Sequence, residues 1–326
     1  MKRPTSTRGK AYISFIVVMI ILAVIQPLLP PYYRFLLTEI MIYAIFALGY
    51  DLLLGYTGLL SFGHSLLFGF GCYGFAWMMR FYGMPFWPAL AIAVIVTTAL
   101  AAGVGAVCVR TSGIYFAIIT FIFSFVLFYI FLSLVPITGG DDGFTFIPPP
   151  VDLGFISLEF GPVMLYYLAL FWMAVAYIVC RRIVSSPFGR VMLAIRENDM
   201  RARCLGYNTY GCKVVVFMMS GLFAGLSGGL FAYLNHFVNA HYFEMYRSLF
   251  VLIWTMFGGV GTLVGPMLGA GIITLLTDYL STLFRMQWGG VHLIILGIIL
   301  IVITIFLPKG ILSIPERVRR RAKKEA

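Results

Sequence analysis

SSPFGRVMLAIRENDMRARCLG, residues 185–206, is a charged, helix-forming segment between two long apolar runs. Ser186 followed by Pro187 is a strong helix start: a serine hydroxyl caps free N–H groups, and proline has none to leave unpaired at the first helical position. Val191, Ile195, Ala202 and Leu205 fall roughly on one face, while Arg190, Arg196, Glu197, Arg201 and Arg203 supply charge. Gly206 and Asn208 provide the stop. The segment therefore predicts one or two short amphipathic helices lying along a membrane surface. A basic connector would rest there on anionic lipid. A docking helix would instead put its apolar face into a groove on a soluble partner and orient itself with its basic residues. The second use moves the question from which reaction the chain performs to which partner drives it.

Composition explains why a membrane is the reference. Mean hydropathy is +0.98, with 61% hydrophobic and only 11% charged residues. A soluble chain of 326 residues needs more polar surface than this. In a bilayer the backbone must satisfy itself in helices or a closed barrel. The apolar runs are long and continuous, so an all-α polytopic membrane protein is expected, a single transmembrane domain over 1–326. Cys72, Cys108, Cys180, Cys204 and Cys212 make no CxxC pair and, with the histidines, no metal-type spacing. No metal is expected. Lys2, Arg3, Arg8 and Lys10 precede an apolar run too long for a signal peptide, with no small-x-small cleavage site, so it reads as a retained first span.

Candidate spans are 11–30, 37–54, 59–79, 87–109, 114–135, 162–180, 213–234, 249–263, 266–283 and 291–307. Each needs about 20 residues to cross about 30 Å of hydrocarbon. The pair 249–263 and 266–283 is short and Gly-broken, and reads either as two spans or as a re-entrant pair, so eight to ten crossings are expected. With the N-terminus inside, only Arg34, Arg80, Arg247 and Arg285 of the 23 Lys and Arg residues fall outside. That bias places both termini and the 181–212 loop in the cytoplasm. The tail 308–326 reads as a topology anchor near anionic lipid, with no nucleic-acid role. The outer loop 136–161 carries Asp141, Asp142, Asp152 and Glu159 and no basic residue. Its Gly139-Gly140 and Pro148-Pro149-Pro150 predict turn and extended chain.

Two stretches break the apolar pattern: GYTGLLSFGHSLLFGFGCYG at 55–74 and GGVGTLVGPMLGAG at 258–271. Glycine permits close helix approach or unwinding inside a membrane. Paired interrupted segments in the two halves of a transporter point to a substrate path, and the shared Gly-x-x-Gly is compatible with an inverted repeat. The pathway candidates are Gly55, Gly58, Ser61, Gly63, His64, Gly258, Gly259, Gly261, Gly265 and Pro266, with tight packing alone as the competing explanation. His64 is expected to bond another helix in preference to a substrate. Asp51 and Asp278 lie near span ends, where interfacial charge is the simplest reading.

The strings GYTGLLSFGH (55–64), TGGDDG (138–143), SPFGRVMLAIREND (186–199) and GGVGTLVGPMLG (258–269) resemble the permeases of bacterial branched-chain amino acid ABC importers, with the M-type subunit most similar. The resemblance runs from about Tyr43 to Gly310 in the expected order. It implies a multi-pass inner-membrane subunit paired with a second, homologous permease. Two cytosolic ABC ATPase subunits, which use ATP and Mg, would sit below it, and a periplasmic substrate-binding protein above. This chain would bind no cofactor itself. The resemblance further implies that the cytoplasmic loop seats in an ATPase cleft through Gly189, Arg190, Arg196, Glu197, Ala202 and Gly206. Ala202 and Gly206 match the general coupling-loop pattern, whereas Met200 and Arg201 stand where Glu and Ala are usual. Thr138, Gly139, Gly140, Asp141 and Asp142 would meet the binding protein or shape a turn. Related permeases for urea, amides or aromatic acids keep the substrate open.

Two other classes compete. An ion-coupled transporter or channel would need working intramembrane charges, with Asp51 and Asp278 as candidates. A membrane enzyme would need a converging constellation, but His64, His236, His241 and His292 are scattered. There is no GxxxxGK[ST] phosphate loop, so no catalytic residue is assigned and ATP hydrolysis is expected elsewhere.

Overall fold

The computed structural model describes residues 15, 17–147 and 161–284, the backbone of Val151–Asp152 and Ser157–Leu158, and positions 297–298 and 310–311. Apart from those isolated positions, the predicted span 291–307, the tail 308–326, and the N-terminal basic cluster lie outside the described residues, as do Glu159, Arg285 and His292.

The described chain is helical, as its composition requires. α1 (Val17–Leu28) leads into α2 (Pro31–Asp51), which a π-helical turn extends through Leu52–Tyr56. α3 (His64–Tyr82), α4 (Phe86–Cys108) and α5 (Ile114–Ser133) follow, then a single turn α6 (Val135–Thr138). α7 (Pro162–Ser185) leads to the surface pair α8 (Pro187–Glu197) and α9 (Asp199–Cys204). α10 (Thr209–Asn235), α11 (Met245–Gly258) and α12 (Val264–Phe284) follow. Among the described residues, six helices are long and apolar enough to cross a membrane. Burial covers 83% of the apolar window of α2 and 72% of that of α10, but only 28% of that of α5, so α2 and α10 are central and α5 is peripheral. Outward-facing Ile118, Ile122, Phe125 and Tyr129 on α5 suit a lipid-facing wall.

Small residues let the central helices touch. A Cβ on Gly71 of α3 would come 2.7 Å from the Gly225 Cα of α10, the close backbone approach that replaces hydrophobic driving force inside a bilayer. α1 is tied to α7 by the Tyr166 hydroxyl, which donates to the Leu22 carbonyl at 2.7 Å, and by Phe15 stacked on Tyr177.

Two helices start inside the bundle. The predicted 59–79 span begins only at His64, after a non-helical stretch at 58–63. The predicted 249–263 span is displaced to Met245–Gly258, and the chain before it, 236–244, turns back into the bundle with a 3-10 turn at Ala240–Phe243. The starts of α3 and α11 meet at mid-depth. The Ser65 N–H donates to Ser248 Oγ (2.7 Å), and the Phe243 carbonyl accepts from Ser65 Oγ (3.0 Å) and Ser124 Oγ (2.7 Å), with Ser124 near the middle of α5. Irregular backbone at membrane depth is tolerated only when protein groups pair it, and these buried serines do so. At about 1.5 Å per residue, α11 is about 21 Å long, short of a full crossing, whereas α12 is about 31 Å.

The outer connection 136–161 departs from expectation in beginning within the α6 turn; beyond it, the described residues include short strands of extended chain. β1 (Phe144–Thr145) pairs antiparallel with β4 (Phe237–Val238), and β2 (Val151–Asp152) with β3 (Ser157–Leu158).

Candidate functional site

At the basic end of the bundle, Ser186 caps α8 as its sequence predicts: its Oγ accepts from the Gly189 N–H at 3.3 Å. Gly189 is buried because α8 crosses the end of α7; a Cβ there would lie 2.7 Å from the Ile183 carbonyl. The buried face of α8 carries Met192 and Ile195, and α9 adds Ala202. That corrects the expected docking geometry. These apolar groups pack on this chain's own bundle, and Leu205, predicted on the same face, is exposed, as is Met200. The surface open to a partner therefore combines Met200 and Leu205 with exposed Arg190, Glu197 and Arg201. Gly206 ends α9 at φ +86°, a conformation that a side chain would strain. Asn208, predicted as part of the stop, instead caps the next helix, accepting from the Gly211 N–H.

Asp199 anchors α9. Lys213 Nζ and Arg203 Nη2 each reach its Oδ2 at 3.0 Å. Partial burial would raise the Asp199 carboxyl, but Lys213, Thr209 and Arg203 outweigh it and hold it below its ordinary value.

Arg196 joins this surface segment to both glycine-broken stretches. Its Nη1 donates to the Gly55 carbonyl. Its stem lies on Gly58, where a Cβ would come 3.1 Å from Arg196 Cγ, and its guanidinium lies by Gly261, where a Cβ would come 3.2 Å from Nη1. Both glycines have positive φ, +76° and +78°, a backbone that a side chain would strain, and the space at each is tight. Asp51 completes the joint. It is fully buried, which overturns its reading as interfacial charge. Oδ1 accepts from the Gly261 N–H (2.7 Å) and Oδ2 from the Leu263 N–H (3.1 Å), at the start of α12, where a helix favours an anion.

The other predicted residues divide by depth. Gly258, Gly259 and Gly261 form the α11–α12 turn, and Gly265 and Pro266 open α12, with Gly258 packed against Gly265. Ser61 and Gly63 lie in the 58–63 break; the Tyr50 hydroxyl donates to the Ser61 carbonyl at 2.9 Å. His64 bonds another helix, as expected: its Nε2 lies 2.5 Å from Ser220 Oγ on α10, and that hydroxyl donates to the Gly49 carbonyl of α2.

At the opposite end, Thr138 is buried, and its Oγ1 donates to the Phe131 carbonyl at 2.5 Å and accepts from the Gly140 N–H at 3.1 Å. Gly139 and Gly140 supply the positive φ of the turn. Asp141 and Asp142 are exposed. His241 bridges Asp141 Oδ1 (2.7 Å) and Glu244 Oε1 (2.6 Å), pinning this loop to the re-entrant chain before α11. Its pKa is raised, chiefly by the Glu244 hydrogen bond, then by Asp141 against the opposing effect of burial. A raised folded value means the bridge is complete below the ordinary histidine value of about 6.5 and is lost as pH rises through the folded value. His241→Gln is expected to remove this component, seen as a smaller difference in melting temperature between about pH 6 and pH 9. An unchanged pH dependence would show that the bridge adds no stability.

Between α2, α11 and α12 lies a cavity of about 450 Å³. None of the ten predicted pathway residues lines it; Glu39, Tyr43, Arg247, Trp254 and Asp278 do. Arg247, counted in the sequence with the outer loop, sits on α11 inside the bundle. The missed signal was an acidic residue, Glu39, within an apolar run, and an arginine bordering another. Among the described residues, no three His, Cys, Asp or Glu side chains gather as a metal would need.

The fold and these sites define a polytopic membrane protein with broken helices at mid-depth and a charged surface hairpin tied to them. The family model described as "Branched-chain amino acid transport system / permease component" matches residues 32–304, and the chain belongs to that family, as an ABC-importer permease of the multi-pass inner-membrane type. It is 29% identical over 320 residues to the high-affinity branched-chain amino acid transport system permease protein LivM of Escherichia coli (strain K12), covering 91% of this chain and 74% of that one. It is 28% identical over 165 residues to the autoinducer 2 import system permease protein LsrC of Photorhabdus laumondii, covering 49% and 46%. It is 36% identical over 67 residues to the guanosine ABC transporter permease protein NupQ of Bacillus subtilis, covering 21% of each. No solved structure matches the chain.

Proposed function

We propose that this chain is the membrane-spanning permease subunit of an importer for branched-chain, or closely related hydrophobic, amino acids. It works beside a second, homologous permease. Two cytosolic ATPase subunits that use ATP and Mg drive it, and a periplasmic binding protein supplies it. The observation that carries this reading is the Arg196 joint. A surface hairpin with a charged outer face, tied through one side chain to the breaks after α2 and α11, is suited to turn movement of a soluble motor into movement of the bundle. In this reading the α8–α9 end is cytoplasmic. ATP binding draws the ATPase subunits together, the hairpin from Gly189 to Gly206 moves with them, and the segments at 55–63 and 258–266 shift so that access changes sides. Asp141 and Asp142 present an acidic surface to the binding protein. The similarity to a branched-chain permease over nearly the whole chain supports the substrate class above nucleosides or autoinducer 2, whose permeases match over shorter stretches.

The test is gentle purification from the native membrane with mass spectrometry of the co-purifying proteins. A second permease and ATPase subunits are expected. Recovery of the chain alone, even after crosslinking through residues 181–206, would make the hairpin a lipid anchor and remove the motor-driven reading.

A further inference from the structure

A charged side chain within a membrane bundle is costly, by several kcal/mol, unless it is paired or used. The cavity between α2, α11 and α12 holds two such groups of opposite sign, and they do not meet. Tyr43 stands between them: its hydroxyl donates to Glu39 Oε1 at 2.8 Å and accepts from Arg247 Nη1 at 3.1 Å. Among the described residues Arg247 makes no ion pair. Its guanidinium is held instead over the rings of Tyr242 (4.6 Å), Phe231 (4.7 Å) and Phe68 (5.4 Å), an orientation that cation–π attraction favours. The other acids of the cavity are engaged, Glu244 with His241 at 2.6 Å and Asp278 with the Tyr32 hydroxyl at 2.5 Å.

A second observation is independent of charge. Trp254 is 4% exposed and lines the cavity, yet its indole N–H has no hydrogen-bond partner. Asn239 and Thr274, also in the lining, each carry a buried oxygen without a partner. Three unpaired polar groups packed into the wall of one cavity are expensive in a folded protein. The volume of about 450 Å³ falls in the range of small-molecule sites, and Phe46 and Phe250 add apolar wall.

We propose that this cavity is a binding subsite for a zwitterionic α-amino acid with an apolar side chain, Arg247 taking its carboxylate, Glu39 its ammonium group, and the Phe46, Phe250 and Trp254 walls its side chain. The proposal deepens the amino-acid importer reading and rests on it. The two charges of an α-amino acid sit on one carbon, which matches a Glu and an Arg one hydroxyl apart. A carboxylate ligand without an amine leaves Glu39 unanswered, and an amine without a carboxylate leaves Arg247 unanswered. A site with buried polar groups rejects both.

The test is equilibrium binding of tritiated L-leucine to the complete transporter in nanodiscs with no binding protein added. ATP-driven leucine uptake, with binding protein, is measured in parallel. Wild type is expected to bind leucine, with leucinol and 4-methylpentanoate competing at least about tenfold less well. E39Q and R247M are each expected to weaken leucine binding at least about tenfold. R247K separates recognition from packing: it keeps the charge over the rings but loses the two-pronged donor, so its melting temperature should stay near wild type while binding falls. Uptake of leucine by the wild type together with unchanged binding in E39Q and R247M, or with no binding by the wild type, would overturn the subsite and leave the importer reading standing. Absence of both binding and uptake for every amino acid tried would overturn both.

Discussion

Arg196→Ala is expected to lower ATP-driven uptake at least about tenfold in the assembled complex while ATP hydrolysis continues. Arg196 projects from α8, on the surface hairpin, and its guanidinium reaches the Gly55 carbonyl beside Gly58 and Gly261. No other side chain of α8 or α9 is seen to reach both breaks. A hydrogen bond from a charged donor contributes roughly 1.5–3 kcal/mol, and each 1.4 kcal/mol corresponds to about a factor of ten. The alanine variant keeps Met192, Ile195 and Ala202, so the hairpin should still pack. The measurement is leucine moved per ATP hydrolysed in proteoliposomes. Arg196→Lys, which keeps charge but not the planar fork, should give an intermediate ratio. If uptake and hydrolysis fall in proportion, Arg196 serves the motor contact and not the joint.

Asp51→Ala is expected to cause the largest loss of stability of any single polar substitution in the bundle. It removes the acceptor for the Gly261 and Leu263 N–H groups in a fully buried place. Each unpaired donor costs about 1–3 kcal/mol, and the start of α12 loses its compensating anion. Lower yield and a lower melting temperature should follow. Asp51→Asn keeps one acceptor oxygen and should lie between alanine and wild type. A D51N protein that melts like the wild type but takes up no substrate would contradict this account and favour an ion-coupled transporter.

Both predictions depend on contacts that no reading along the chain displays. Arg196 and Gly55 are 141 residues apart, and Asp51 and Gly261 are 210 apart. The sequence did mark Arg196, Gly55 and Gly261 separately, since an amphipathic charged helix and glycine-broken apolar runs are local patterns. Asp51 was misread for a related reason. Its position near a span end is visible in one dimension, but the α11–α12 turn that buries it comes from the other end of the chain. The second unwound stretch, 236–244, falls between two predicted spans and so reads along the chain as an outer loop; its Phe243 carbonyl is paired inside the bundle by serines from two other helices, Ser65 of α3 and Ser124 of α5.

What the sequence alone determined is the bilayer as solvent, helices as the only economical backbone, the approximate position of the described spans, the Ser186 cap, and the family. Each of these follows from composition, periodicity or a contiguous motif, and so needs no partner from elsewhere in the chain. Only the tertiary structure decided where helices begin at mid-depth, which face of α8 is already covered, and that Glu39 and Arg247 share a cavity. These are long-range outcomes, because the free energy of a buried charge, an unpaired N–H or a close glycine contact depends on what folds against it, and that neighbour is supplied by segments a hundred or more residues away.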